Sequence, residues 1–340
     1  MHRTRKWLAA TAALSFAALA VAACGSDDGD SGSGGDTSAY RIALVLKPLD
    51  NTYFGAMEKG ASEEAKKAGV ELTTVAAASV TDDSGQANKL NSLVSSGYDC
   101  YIVNPTSGTN LLRPLVPVSK DGKPIVNIDL PISADAAKTN GVTVTTYIGT
   151  DNETAGATAG EAMLEVVPSG KVAAIGGLAA DPGSLARIKG FKDKVAGKLD
   201  VFQTVAADAD RLKAKNAAAA IIRGNPDVKG FFTVSGDMSL GIQEAVTQAG
   251  KQGQIAVIGI DGTEDQIKNI QSGGMPAAVE QFPYLMGAQG VQACLAARDS
   301  KSVPAELPTP VLVVTKENAA EALASFPAPP ESFRYDNPLG

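Results

Sequence analysis

The chain has 340 residues, 44% of them hydrophobic, which allows two domains with cores of ordinary size. Its formal net charge of -7, without basic clusters, argues against nucleic acid as a partner. The single histidine is His2 and the common phosphate-cradling motifs are missing, so histidine-based catalysis and zinc sites are not expected, and we predict no cofactor or metal.

Residues 1–23 have the pattern of an export signal. Arg3, Arg5 and Lys6 precede an apolar run that is too short for a comfortable membrane span. The run ends V-A-A-C at 21–24, which resembles the lipobox of bacterial lipoproteins and implies cleavage and acylation at Cys24; an ordinary secretory signal is the alternative. We therefore predict an exported protein, lipid-anchored to the outer face of the bacterial cytoplasmic membrane.

Residues 24–39 are predicted to be a flexible tether. From Gly25 onward they are only Gly, Ser, Asp, Thr and Ala, which cannot bury a core.

From Arg41 onward, buried strands alternate with helices. Strands are predicted at 42–46, 70–75, 100–103, 125–128, 146–149, 171–176, 201–206, 231–234, 255–260 and 277–280. Helices are predicted from about 54, then at 84–96, 110–120, 152–167, 185–195, 211–223 and 237–249. This alternation is typical of βαβ units and parallel sheets. So many strands favour two sheets, and therefore two lobes.

Several strands end in side chains that can bind a ligand. The apolar strand at 255–260 is followed by Asp261, and the strand at 125–128 is followed by Asp129. Ligands of open α/β sheets bind at this end of the strands. Other strand ends supply Lys47, Asn51, Tyr53, Phe54, Asn104 and Gln281. Donors, acceptors and flat apolar faces together suit a small neutral polyhydroxy compound.

Eight short segments in order carry a family resemblance. They are VLKPLDNTYF (45–54), IVNP (102–105), PIVNID (124–129), GTDN (149–152), RIKGF (187–191), GDMSLG (236–241), VIGIDGT (257–263) and EQFP (280–283). Over residues 41–315 the chain resembles the type I periplasmic binding proteins of sugar ABC transporters, in the branch that binds ribose and allose.

The resemblance implies an α/β fold of two Rossmann-like lobes with parallel sheets, joined by a three-strand hinge. The lobes would be residues 40–149 plus 282–309 and residues 150–281 plus 310–340. It also implies a monomeric, non-enzymatic protein that closes on a small neutral sugar or polyol and delivers it to the transmembrane subunits of an ABC permease.

By the same resemblance, the ligand contacts fall on Asn51, Tyr53, Phe54, Asn104, Asp129, Arg187 and Asp261, with Gln281 beside a crossover. Lys47 resembles a lysine of allose-type and arabinose-type members. Three positions depart from the ribose-type pattern: Leu130 stands for arginine, Ala209 for an aromatic residue and Ser235, itself a candidate ligand contact, for asparagine. They argue against ribose and for a hexose or linear polyol, with Glu280 as a further polar candidate.

Other interpretations stay open. An autoinducer sugar or a nucleoside, bound for uptake or sensing, is the first alternative, and a glycoside hydrolase with Asp129 and Asp261 as paired carboxylates is the second. Tyr53 and Phe54 could be core residues, and Asn51 and Asn104 turn residues.

Arg187 could form a surface ion pair. Asp151 and Asn152 are expected to fix a crossover and cap a helix.

Cys100 and Cys294 are expected in the same lobe. Export permits a disulfide between them, but a strand residue and a helix residue are often too far apart, so two free thiols are the alternative. The Pro-rich segment 326–340 lies beyond the resemblance and is expected to pack along the second lobe or hang loose.

Overall fold

The computed structural model describes residues 39–339. The predicted export signal, Cys24 and the tether up to residue 38 lie outside the described residues. Within the described part, no helix has both the length and the hydrophobicity needed to cross a lipid bilayer.

The first lobe is built around a six-stranded parallel sheet. Its elements before the first crossing are β1 (Arg41–Leu46), α1 (Thr52–Ala68), β2 (Glu71–Ala76), α2 (Asp83–Ser96), β3 (Cys100–Val103), α3 (Leu112–Lys120), β4 (Ile125–Ile128), α4 (Ala134–Asn140) and β5 (Thr146–Thr150). Two elements from much later in the chain complete it, α10 (Pro283–Arg298) and β11 (Glu306–Thr309). The strand order is β11-β5-β4-β3-β1-β2.

The second lobe contains the other six-stranded sheet. Its elements are α5 (Asn152–Val166), β6 (Gly170–Gly176), α6 (Pro182–Val195), β7 (Leu199–Ala206), α7 (Arg211–Gly224), β8 (Val228–Thr233), α8 (Gly236–Gln248), β9 (Ala256–Asp261), α9 (Glu264–Gln271), β10 (Ala277–Gln281), β12 (Val311–Thr315) and α11 (Ala319–Ser325). The order is β12-β10-β9-β8-β6-β7, with β12 antiparallel to β10.

Local sequence explains where these elements form. The run Ile42–Leu46 is fully buried, as expected for a central strand of a parallel sheet that helices cover on both faces. Asp151 begins α5 by accepting hydrogen bonds from the backbone N–H groups of Glu153 and Thr154, both at 3.0 Å. The predicted capping role of Asp151 is therefore observed.

The chain passes between the sheets three times: from β5 to α5, from β10 to α10 and from β11 to β12. The hydroxyl oxygens of Thr150 and Thr309, on two of these crossings, lie 3.2 Å apart in the interior. The predicted fold class, two α/β lobes with a three-strand hinge, is confirmed.

Two differences from the predicted elements bear on the site. Asp261 is the last residue of β9 rather than the first residue after it, so its position is set by the sheet. The short helix α4 follows β4 and was not predicted, because seven residues are too few for a clear amphipathic pattern.

The C-terminal segment, residues 326–339, does not stay on the second lobe. Phe326 packs against the second-lobe core, but Leu339 packs against the first-lobe core. The expectation that this segment packs along the second lobe or hangs loose is therefore wrong for its far end.

Cys100 on β3 and Cys294 on α10 form a disulfide, with Cα atoms 5.8 Å apart. A strand and a helix can be bridged here because α10 packs directly on this sheet. The bridge spans 194 positions of sequence and ties the late helix into the first lobe.

Because a cross-link over so long a loop restricts the unfolded chain, Cys100→Ala should lower the free energy of unfolding by about 2–4 kcal/mol. Cys294→Ala should cost a similar amount, and the double variant little more, since the same cross-link is lost in all three. Urea unfolding of residues 25–340 measures this. Two reactive thiols in the unfolded, unreduced chain, or strictly additive losses, would contradict the bridge.

Glu280 on β10 is a buried carboxyl group. Its side chain is 1% exposed, and Oε2 has no hydrogen-bond partner among the described residues. Burial raises the pKa of Glu280 from 4.5 to about 8. The folded protein therefore holds this proton at neutral pH, whereas the unfolded chain releases it.

Between pH 4.5 and 8 the folded state binds the extra proton, so Glu280 should reduce stability as pH rises, by up to about 1.4 kcal/mol per pH unit. Glu280→Gln should flatten this dependence and raise the unfolding temperature most at pH 8. Glu165→Gln, at an exposed carboxyl group, is the control. If the stability of the wild type and of Glu280→Gln changed with pH in the same way, Glu280 would have an ordinary pKa.

Candidate functional site

A cleft of about 1620 Å³ lies between the lobes. It is lined by residues that follow strands of both sheets, which is where parallel sheets bind ligands. Pockets that enclose small molecules usually measure about 300–1,000 Å³. The cleft is therefore more open than a pocket that encloses a single small molecule.

The first-lobe side of the cleft is organised around Asp129. Lys47 Nζ lies 3.3 Å from Asp129 Oδ2, and the Tyr53 hydroxyl lies 3.4 Å from Asp129 Oδ1. The Lys47 ammonium is also 5.3 Å from the centre of the Phe54 ring, a cation–π contact. Burial, reinforced by the Asp129 charge, raises the pKa of Tyr53 well above its ordinary value. Its hydroxyl therefore stays protonated and donates.

Arg187 on α6 is held on three sides. Its Nε donates to Asn152 Oδ1 at 2.7 Å, Nη1 to the Val234 carbonyl at 2.7 Å and Nη2 to Gln281 Oε1 at 3.0 Å. Nη1 also lies 3.7 Å from Asp261 Oδ1. These partners come from α5, β10 and the ends of β8 and β9, so the guanidinium joins several elements of the second lobe.

The carboxylate of Asp261 is also fixed by hydrogen bonds. The Gly236 N–H donates to Asp261 Oδ2 at 2.9 Å, and Gln281 Nε2 donates to Oδ1 at 2.8 Å. Burial raises the pKa of Asp261, and the positive charge of Arg187 opposes that rise. Gln281 therefore donates to the carboxylate and accepts from the guanidinium, which fixes both.

Close packing of α5 on α6 brings Asn152 to Arg187. A Cβ atom on Gly156 would lie 2.0 Å from the Arg187 carbonyl oxygen, and one on Gly190 would lie 1.9 Å from the Glu153 carbonyl oxygen. Glycine at both positions lets the two backbones touch. Arg187 is thus positioned by backbone contact as well as by its side-chain partners.

Asp129 and Asp261 share an unusual backbone conformation. Their φ angles are 62° and 94°, in a region that residues other than glycine rarely adopt and that costs about 1–3 kcal/mol. At Asp129 the Tyr147 hydroxyl donates to the backbone carbonyl at 2.7 Å, while the Asp129 N–H donates to the Ile148 carbonyl at 2.9 Å. Two neighbours on β5 therefore hold this turn in place.

Residues 42–302 match the family model for the periplasmic binding protein domain. This match covers well over half of the chain. The chain belongs to the periplasmic binding protein family. The family predicted from the sequence is confirmed.

Named relatives of the chain support the same family assignment. The chain is 32% identical over 270 residues to the D-allose-binding periplasmic protein of Escherichia coli K12, covering 78% of this chain and 87% of the relative. It is 30% identical over 284 residues to the ribose import binding protein RbsB of Bacillus subtilis 168, covering 83% and 90%.

Among solved structures, an ABC transporter periplasmic solute-binding protein from Actinobacillus succinogenes 130z with bound D-allose aligns with a TM-score of 0.77. The two chains are 26% identical, and the alignment covers 82% of this chain and 99% of that one.

Most of the predicted contact residues of this periplasmic binding protein do line its cleft. They are Lys47, Asn51, Tyr53, Phe54, Asp129, Arg187, Ser235, Asp261 and Gln281. Leu130 and Ala209, two of the departures from the ribose-type pattern, line it as well. Asn51 Oδ1 accepts from the Tyr53 N–H at 2.9 Å and so also caps α1. The Ser235 Oγ is buried and has no hydrogen-bond partner among the described residues.

Asn104 and Glu280 are not among the cleft-lining residues. The side chain of Asn104 is fully buried, with Nδ2 3.6 Å from Met57 Sδ. Asn104 follows β3 as predicted, but its side chain contacts α1. In this structure neither Asn104 nor Glu280 lines the cleft, and their role as ligand contacts stays a prediction.

Two site residues were missed or assigned a smaller role. Tyr147 lines the cleft but lies within β5. The pattern of polar residues after strands therefore did not indicate it. Asn152 was expected to fix a crossover and cap a helix, but it accepts from Arg187. The signal available for Tyr147 was an aromatic residue two positions before the glycine of GTDN.

Tyr147→Phe should lower the free energy of unfolding by about 1 kcal/mol, because the strained carbonyl of Asp129 loses its buried donor. Chemical unfolding of residues 25–340 measures the loss. The matched control is Tyr335→Phe, whose hydroxyl has no hydrogen bond among the described residues. Equal stability of the two variants would mean that the Tyr147 hydroxyl does not support this turn.

Proposed function

We propose that this periplasmic binding protein is the substrate-binding lipoprotein of a sugar ABC importer. It captures a neutral monosaccharide or polyol between its lobes by hinge closure and carries out no covalent chemistry. The observation that carries the proposal is the pair of charge-compensated carboxylates, Asp129 with Lys47 and Asp261 with Arg187, that line one cleft from opposite lobes.

The charges around Asp129 and Asp261 favour a neutral ligand. Each carboxylate already has a cation beside it, so the centre of the cleft offers hydrogen-bond donors and acceptors with little net charge. A charged ligand would lose its hydration without gaining a free counter-ion. The remaining lining residues include more acidic than basic side chains, which argues against phosphorylated sugars.

The shape of the cleft favours a ligand with one apolar face. The rings of Tyr53 and Phe54 meet edge to face, 5.5 Å between centres, on the first-lobe side. Sugar rings present C–H groups on one face and hydroxyl groups around the edge, which matches aromatic rings beside carboxylates. Leu130, Ala209 and Ser235 are smaller or less polar than their ribose-type counterparts, so a hexose or polyol fits the proposal better than ribose.

The relatives support the same ligand class. The named relatives are an allose-binding and a ribose-import protein, and the solved neighbour holds D-allose. Closure would move the lobes as two bodies about the three crossings, which is the established behaviour of periplasmic binding proteins. The proposed bodies are residues 40–149 with 282–309, and residues 150–281 with β12 and α11.

The proposed location follows from the sequence at the N-terminus. Acylation of Cys24 would anchor the protein outside the cytoplasmic membrane, and the tether would leave the folded part free to meet the permease. We further propose that it acts as a monomer.

The binding proposal is tested with the chain from residue 25 onward, unfolded and refolded to remove any bound molecule. Titration calorimetry with D-allose, other neutral hexoses, polyols, D-ribose and nucleosides should identify a neutral sugar or polyol as the tightest ligand. Asp129→Asn and Asp261→Asn should each weaken its binding by about ten- to a hundredfold, since each loses a charged acceptor.

Asp227→Asn is the control, because Asp227 pairs with Lys171 outside the cleft. Preferential binding of a nucleoside would favour the alternative ligand class, and consumption of the bound sugar would favour the hydrolase. Unchanged affinity in both cleft variants would refute the proposed site.

A further inference from the structure

The C-terminal segment 326–339 joins the two lobes a fourth time. It leaves α11 on the second lobe, where the Ser332 N–H donates to Glu321 Oε1 at 3.3 Å. It ends on the first lobe, where Asn337 Nδ2 donates to Gln292 Oε1 on α10 at 3.0 Å. Phe326 and Leu339 pack against the cores of the second and first lobes respectively.

The middle of the segment lies on the hinge. The Phe333 ring is 5.3 Å from the ring of Phe282, which is fully buried and directly follows the crossing from β10. Tyr335 stacks on Phe333 at 6.4 Å. Any rotation about this crossing therefore acts on an aromatic contact made by the segment.

The first residues of the segment share a small cavity with residues of the proposed binding site. Phe326 and Pro327 line a cavity of about 10 Å³, close to the smallest that can hold one water molecule. Tyr53 from the first lobe and Asp261 and Gln281 from the second line the same cavity. The segment thus shares a small cavity with three proposed ligand-binding residues.

This segment lies outside the part of the chain that matches the family. The family match ends at residue 302. Residues 326–339 therefore lie beyond the part of the chain that the family model matches.

We propose that residues 326–339 form a strap that holds the hinge in the open arrangement of this structure and thereby lowers the affinity for the sugar. The strap contacts are made while the cleft is larger than a pocket that encloses a small molecule, so they stabilise the open arrangement and reduce the fraction of molecules that is closed. The effect on affinity rests on the proposed function, whereas the restraint of the hinge is independent of it.

The restraint is tested without any ligand. Spin labels on Ser95→Cys in the first lobe and Thr247→Cys in the second, both at exposed helix positions, report the interlobe distance. Phe333→Ala removes the hinge contact and Asn337→Ala removes the far anchor. Each should broaden the distance distribution, while Arg334→Ala, whose hydrogen bond stays within the segment, should not.

The affinity is then measured by calorimetry with D-allose, or with the neutral sugar that binds tightest. Phe333→Ala and Asn337→Ala should lower Kd by about three- to tenfold, because loss of the strap contacts lets a larger fraction of molecules reach the closed arrangement. Unchanged distance distributions in both variants would overturn the strap, whether or not any sugar binds. Broadened distributions with unchanged Kd would overturn its effect on affinity.

Discussion

Each lobe neutralises its own partly buried aspartate, and this constraint shapes the whole cleft. Lys47 stays within reach of Asp129 on the first lobe, and Arg187 within reach of Asp261 on the second. A charge left without its partner in a protein interior is costly. Because neither pair spans the gap between the lobes, the hinge can open and close without separating opposite charges.

The same arrangement keeps the binding groups rigid. Asn152, Val234 and Gln281 fix the guanidinium of Arg187 before any ligand arrives. A ligand then loses little free energy to ordering side chains, and geometry selects for the pattern of its hydroxyl groups. The strained turn at Asp129 is also rigid, because the Tyr147 hydroxyl donates a hydrogen bond to the Asp129 backbone carbonyl.

Much of the fold and site could be predicted from the sequence because the strands of parallel sheets are continuous apolar runs with a fixed direction. Asp129 and Asp261 end such runs, so their side chains were expected in the cleft. Asn104 also follows a strand, but sequence position does not tell which way a side chain turns, and here it turns toward α1. Tyr147 and the C-terminal segment act through contacts with residues distant in sequence, which no local pattern encodes.

The placement of α10 and β11 has a consequence for how the molecule is assembled. The first lobe begins at residue 40, yet it lacks a covering helix and an edge strand until residues 283–309 are available. Its hydrophobic sheet therefore stays partly uncovered until the polypeptide for the second lobe has been made. Contacts that close such long loops form slowly and leave intermediates prone to aggregation. A chain of this topology thus completes its first lobe only when almost its whole length is available.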